Sequence, residues 1–224
     1  HVAKGQLLID AENNEGQSYK YCLDERKIEA KFLENAYLGE VCDLPKDIIE
    51  EAETFYSTLQ NQIEKIANNS DMESEYDALK IRKTQYEKIL TFLKNHHIYK
   101  GWLVTAFTDE NLNILSLSFR KPYSKDRASL KPFARKGVFG LNLTGDFINF
   151  TSKKGLILVE GEFNVLQYHS SLIRGGSEIT APPIVAFGSA NNPDMETIQP
   201  INAPIYLCYD NDEAGMGSIK KFSE

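Results

Sequence analysis

GLILVEGEFN (155–164) and PIYLCYDNDEAG (204–215) follow one pattern, a short apolar run that stops abruptly at carboxylates and glycine. Such a run reads as a buried parallel strand that delivers acidic side chains to its C-terminal edge before a turn into a helix. The first segment carries Glu160 and Glu162. The second carries Asp210 and Asp212, whose period-two spacing puts both carboxylates on one side of an extended chain. Between them, Val165, Leu166, Tyr168 and Leu172 predict a crossover helix over 163–172, and PIVAFG (183–188) predicts another buried strand. A loop and brief helix with Met195 and Ile198 complete a β-α-β-α-β order, which implies a small parallel sheet with right-handed crossovers. Open sheets of this kind place their chemistry at the carboxyl edge. Gly188 and Gly215 permit tight turns close to a ligand, and the helix amides after Gly161 can face anionic charge.

The 224 residues suffice for one large domain or two small ones, and 42% hydrophobic with 25% charged residues is a globular composition. A net charge of -7 argues against a surface that grips nucleic acid everywhere, yet leaves room for a local basic patch. Cys22, Cys42 and Cys208 are too few and too scattered for a disulfide scaffold or a four-cysteine zinc knot. With no signal peptide and no long apolar run, no membrane partner is expected and a cytoplasmic setting is the default. The chain begins at His1, as in an excised fragment, and a helix is still running at 219–222, so the C-terminal unit is expected to be truncated.

Three regions are expected. The first, 1–99, is mainly helical: GQLLID and QSYKYC are short candidate strands, a helix over 24–37 ends at Gly39, and two long helices follow. Ile48, Ile49, Ala52, Phe55, Tyr56, Leu59, Ile63 and Ile66 form a helical stripe after Pro45, with Asp43 as candidate N-cap. NNSD breaks it, and Tyr76, Leu79, Tyr86, Ile89, Leu90 and Leu93 mark the second helix over 72–96, giving an antiparallel helical hairpin.

The second region, 100–152, is strand-rich and basic. WLVTAF and ILSLSFR flank a polar turn, with Leu115, Leu117 and Phe119 alternating against serines. A loop then holds Arg120, Lys121, Lys125, Arg127, Lys131, Arg135 and Lys136 against the lone acid Asp126, a local field suited to phosphate backbones or nucleoside triphosphates. Tyr123 and Phe133 within it can stack on bases. The third region, 153–224, is the α/β unit. Its converging carboxylates relieve their mutual repulsion by sharing a proton or binding a cation such as magnesium, which prefers oxygen ligands and serves phosphate chemistry. The plainer reading is that acids are common at strand ends and helix starts.

VEGEFNVL, AFGSAN and YDNDEAG resemble the three blocks of a TOPRIM domain, and the match extended upstream through GWLVTAFTDENLNILSLSFR and KPFARKGVFGLN resembles the primase branch, including phage and mitochondrial primase-helicases. The resemblance covers 100–222. It implies an α/β fold with a TOPRIM-like small parallel sheet flanked by helices. It implies Glu160 as the conserved glutamate, Asp210 and Asp212 as the metal-binding pair, and Gly161 as the tight turn. Asn164 stands where many primases have aspartate, keeping an oxygen donor without its charge. The implied activity is a magnesium-dependent nucleotidyltransferase, with manganese as substitute, that makes primers on single-stranded DNA from nucleoside triphosphates beside a replicative helicase in a phage or mobile element. The alternatives are a TOPRIM nuclease using the same carboxylates, or a catalytically weakened nucleic-acid-binding or helicase-partner module.

Overall fold

The computed structural model describes residues 16–67, 69–143, 154–176, 181–188, 194–198 and 202–223. Its architecture is two small sheets with helices, an α/β arrangement of antiparallel and parallel strands. The candidate strand GQLLID lies outside the described residues.

QSYKYC, expected as a strand, is helical: α1 (Gln17–Lys20) continues as a π turn through Tyr21–Glu25. The alternating tyrosines mimic strand periodicity, but Tyr19, Tyr21 and Cys22 are all buried in the main core. Burial there pushes the Cys22 thiol up to about 12. The expected continuous helix over 24–37 is interrupted at Lys27, whose φ of 54° is incompatible with a right-handed helix. α2 (Ala30–Asn35) follows. Gly39 belongs to β1 (Leu38–Glu40), which is too short to show a period.

The helical hairpin forms as expected, from α3 (Lys46–Ile66) and α4 (Glu73–Asn95). Phe55 packs on Tyr86 with ring centroids 4.4 Å apart. Asp43 does not cap α3; its carboxylate binds Lys100, and Pro45 stands at the N-cap. α4 is seated on the antiparallel sheet by Phe92, which stacks on Phe119 at 4.8 Å.

That sheet runs β1-β2-β3-β4, with β2 (Leu103–Thr108), β3 (Ile114–Arg120) and β4 (Arg127–Leu130). The basic stretch is therefore not all loop. Its middle is an edge strand, with Leu130 opposite Leu117 and Arg127 opposite Arg120. The parallel sheet has the order β6-β5-β7, with β5 (Leu156–Val159), β6 (Ile184–Ala186) and β7 (Ile205–Leu207). Its crossover is α5 (Glu162–Gly175), followed by the short α6 (Met195–Ile198) and, after β7, α7 (Glu213–Ser223). Both faces of β5 and β6 are covered, as is usual for parallel strands, while edge strand β7 leaves Ile205 and Tyr206 exposed. Val159, Ile184 and Ala186 join one apolar cluster, while Leu156, Leu158 and Val185 join the other. Among the described residues, no helix is long and apolar enough to cross a membrane.

Residues 138 and 139 join the two sheets. Val138 exchanges backbone hydrogen bonds with Thr108 at the end of β2, and Phe139 does the same with Ala186 of β6. This seam brings the basic stretch up against the carboxyl edge of the parallel sheet.

Candidate active site

β5 ends at Val159, so Glu160 emerges at the carboxyl edge; Asp210 and Asp212 emerge from the neighbouring edge after β7. Packing around Gly215 ties the two segments together. A Cβ added there would lie 2.1 Å from the Asp210 carbonyl oxygen and 2.9 Å from Glu160 Oε1. Gly215 is thus no turn residue, as expected from the sequence, but a buried position in the first turn of α7 that lets Glu160 and Asp210 close on the helix. Asp212 Oδ1 accepts the Gly215 amide at 2.8 Å, capping α7.

Glu160 is the electrostatic centre. Burial first, then the Asp210 carboxylate and Asp212, raise its carboxyl above the usual range, with the Asp210 backbone amide offsetting part. Its Oε1 is buried with no hydrogen-bond partner. The hydroxyl of Tyr209 is likewise buried and unpartnered, and burial together with Glu160 raises its pKa well above the ordinary phenol value. Tyr209 escaped the sequence reading because a tyrosine at a strand end carries no signal of its own.

Among the described residues, no three His, Cys, Asp or Glu side chains converge as a metal-holding group. The donor chemistry nevertheless suits a hard divalent cation. An unpartnered carboxylate oxygen of Glu160 lies within the electrostatic reach of two further carboxylates, the exposed Asp210 and the exposed Asp212, whose Oδ1 is engaged in capping α7. Asn164 lies in the first turn of α5, its Oδ1 3.9 Å from where a Gly161 Cβ would sit, and no hydrogen bond joins it to the three acids. Gly161 is the N-cap of α5 in an extended conformation, and an added Cβ there would meet Asn164 Oδ1 only at ordinary van der Waals distance.

Glu162, two residues beyond Glu160, turns the other way. It is 5% exposed and its Oε1 lies 3.8 Å from Arg120 Nε, forming a buried pair between α5 and β3. Arg120 is therefore a strut between the sheets, placed away from the surface where the sequence reading put it. Arg135 is similarly engaged, contacting Glu110, Asp194, Glu196 and the hydroxyl of Thr197. Asp194, which the sequence did not single out, organises this corner: its carboxylate takes the Gly137 amide at 2.8 Å and the Thr197 amide at 3.3 Å. Lys121 lies 3.9 Å from Asp126, and Lys125 is exposed on the β3–β4 turn.

Arg127, Lys131 and Lys136 come together with Ser116, Ser129 and Glu162 around a cavity of about 210 Å³ between the sheets. Burial, then repulsion from Lys131, lowers the Lys136 ammonium to about 8, with Glu162 opposing. Lys136 is held from both sides, by Ser116 Oγ on its carbonyl at 2.7 Å and by the Asp194–Gly137 bond. Gly188, with φ 67°, closes the cavity against Phe107; a Cβ would meet that ring at 2.6 Å. The geometry thus sets an acidic edge beside a cationic pocket, an arrangement able to hold a phosphorylated ligand.

No family model matches the chain, and no curated protein matches it. Solved structures do. The chain is similar to the DnaG catalytic core at a TM-score of 0.50 and 12% identity, covering 96% of this chain and 64% of that one. The DnaG primase catalytic domain bound to ssDNA matches at 0.48 and 13%, covering 98% and 65%. The Aquifex aeolicus primase, with its zinc-binding and RNA polymerase domains, matches at 0.43 and 18%, covering 80% and 53%. The chain therefore spans between 53% and 65% of the length of these primase structures. With the acidic edge and parallel sheet described above, the chain has a TOPRIM-like fold that resembles the DnaG primase catalytic core.

Proposed function

We propose that this chain is the core of a magnesium-dependent, primase-type nucleotidyltransferase that extends primers on single-stranded DNA from nucleoside triphosphates. The observation that carries the reading is Glu160: a half-buried carboxylate with a buried, unpartnered oxygen, electrostatically coupled to Asp210 and Asp212 and lying two residues from the wall of a cationic pocket. For this role the chain divides into the helical region 1–99, a basic subdomain over 100–152 joined by β1, and the α/β unit 153–224.

Glu160, Asp210 and Asp212 would hold the divalent cation, magnesium or manganese. When bound, it would supply positive charge to phosphate oxygens and favour ionisation of an attacking hydroxyl. The chain's own residues supply the rest. Lys131, Lys136 and Arg127 attract and orient the triphosphate, and the partly buried ammonium of Lys136 gains most from an anion because it is least solvated. Glu160, whose pKa is raised by burial and then by Asp210, is the carboxylate best suited to receive the proton of the primer hydroxyl as that oxygen attacks the α-phosphate and pyrophosphate leaves. Arg120–Glu162 and Arg135–Asp194 hold the pocket and the acidic edge in fixed relation across the seam.

The test is incorporation of labelled ribonucleotides on a single-stranded template by the full-length polypeptide, with Asp210→Ala and Asp212→Ala. Synthesis should fall by a hundredfold or more, on the order expected when charge stabilisation is removed. Unchanged synthesis by both variants would falsify the assignment, and cleaved DNA without added triphosphate would point to the nuclease instead.

A further inference from the structure

The turn between β3 and β4 carries a side chain that the turn itself does not want. Ser124 N donates to the Lys121 carbonyl at 3.3 Å, closing a four-residue turn with Pro122 second and Tyr123 third. Tyr123 has φ 55° there, at a position that glycine or asparagine usually fills. The residue is 52% exposed. The ring stands edge-on to Tyr21 with centroids 5.2 Å apart, and Tyr21 stands edge-on to Phe163 at 5.8 Å. The Arg26 guanidinium lies over both Tyr21 and Phe163, 5.2 and 4.8 Å from their centroids, and its Nε donates to the Tyr21 hydroxyl. Tyr21, Glu25, Arg26, Tyr123 and Lys125 line a surface groove of about 470 Å³. The row of rings leads from this groove to Phe163, three residues from Glu160 in the first turn of α5.

We infer that this groove is a stacking site for an unpaired base of single-stranded DNA, outside the pocket proposed for the triphosphate. Every base offers a π face, so an exposed aromatic beside cations binds a single strand with little sequence preference. Tyr123 supplies the face, Lys125 and Arg26 supply positive charge for the adjoining phosphates, and the Glu25 carboxylate can accept a hydrogen bond from an exocyclic amine. The site would set the path of a template towards the acidic edge. It rests on the primase reading for that template role, while binding of the strand is measured separately from synthesis.

The decisive variant is Tyr123→Gly, which removes the ring and suits the positive φ, so the turn is kept. The probe is a twelve-nucleotide single strand with one 2-aminopurine, compared with the same strand carrying an abasic site. Wild-type protein should bind the intact strand about tenfold or more tightly than the abasic one and quench the fluorescent base. Tyr123→Gly should lose both the preference and the quench, with an unchanged melting temperature and an unchanged dependence of affinity on salt. Lys125→Ala should keep the quench and reduce the salt slope by roughly 0.7. The site is overturned if Tyr123→Gly binds and quenches like wild type, or if Tyr123 affects only the binding of a free nucleoside triphosphate. A normal stacking response with no primer synthesis would leave this site standing and remove the primase reading; the reverse result would do the opposite.

Discussion

The two sides of the seam treat charge differently. On the basic side, Arg120 is matched by buried Glu162, and Arg135 by Asp194, Glu110 and Glu196, so much of the positive charge seen in the sequence is neutralised internally. On the acidic side, Glu160, Asp210 and Asp212 make no ion pair among the described residues, and burial first, then repulsion from Asp210, raises the pKa of Glu160. Buried charge without a partner is costly. The contrast separates a side whose charges are satisfied by folding from one whose carboxylates have no cationic partner among the described residues.

The largest effect that can break this comparison is steric. Gly215→Ala would drive a Cβ against the Asp210 carbonyl, a backbone group that cannot step aside, and against Glu160 Oε1. We expect a loss of about 2–4 kcal/mol in denaturant unfolding, together with loss of any divalent-ion response. Gly217→Ala, two residues along the same helix and with nothing within 4 Å of its added Cβ, should be neutral or stabilising by up to about 1 kcal/mol. Equal effects at both positions would show that the acidic edge has slack, and the tight closure of Glu160 on α7 would have to be abandoned.

A smaller effect sharpens the basic side. The Lys136 ammonium is lowered to about 8, chiefly by burial and by Lys131, and an anion binds its protonated form. Affinity for inorganic triphosphate should therefore be full below about pH 8 and decline as pH rises through that value, by up to about tenfold per unit. Lys136→Arg, which stays charged, should flatten the profile. Titration calorimetry from about pH 6.5 to about pH 9.5 checks it; a flat wild-type profile would remove Lys136 from the anion site.

Much of this was legible in the sequence, for physical reasons. β5 and β6 of the parallel sheet are buried, so they appear as unbroken apolar runs, and the acids that follow β5 and the more exposed edge strand β7 mark the carboxyl edge. The long hairpin helices show their stripe over many turns. The misreadings concern short elements and pairings. Tyr19 and Tyr21 alternate like a strand but are held in a helix by tertiary packing. β1 has three residues and depends on the open edge of β2. Arg120 and Arg135 looked like surface cations because their partners, Glu162 and Asp194, lie far away in sequence or on another element. A charge count reports sign, whereas only the fold reports which charges are already satisfied. Tyr123 was legible as a base-stacking candidate from its neighbours, but its left-handed backbone and its row of rings were not.

The central claim is that the acidic edge awaits a divalent cation, and its most direct measurement is thermal unfolding during a magnesium titration of wild type and Glu160→Gln. Because burial and Asp210 raise the folded-state pKa of Glu160, stability present below the unfolded value is lost as pH rises through the folded one, so Glu160→Gln without metal should melt no lower than wild type at neutral pH. Saturating magnesium, at roughly ten times its dissociation constant, should raise the wild-type melting temperature by about 3–5 °C and leave Glu160→Gln unmoved. A wild type indifferent to magnesium and manganese, or a variant that responds as strongly as wild type, would contradict the account.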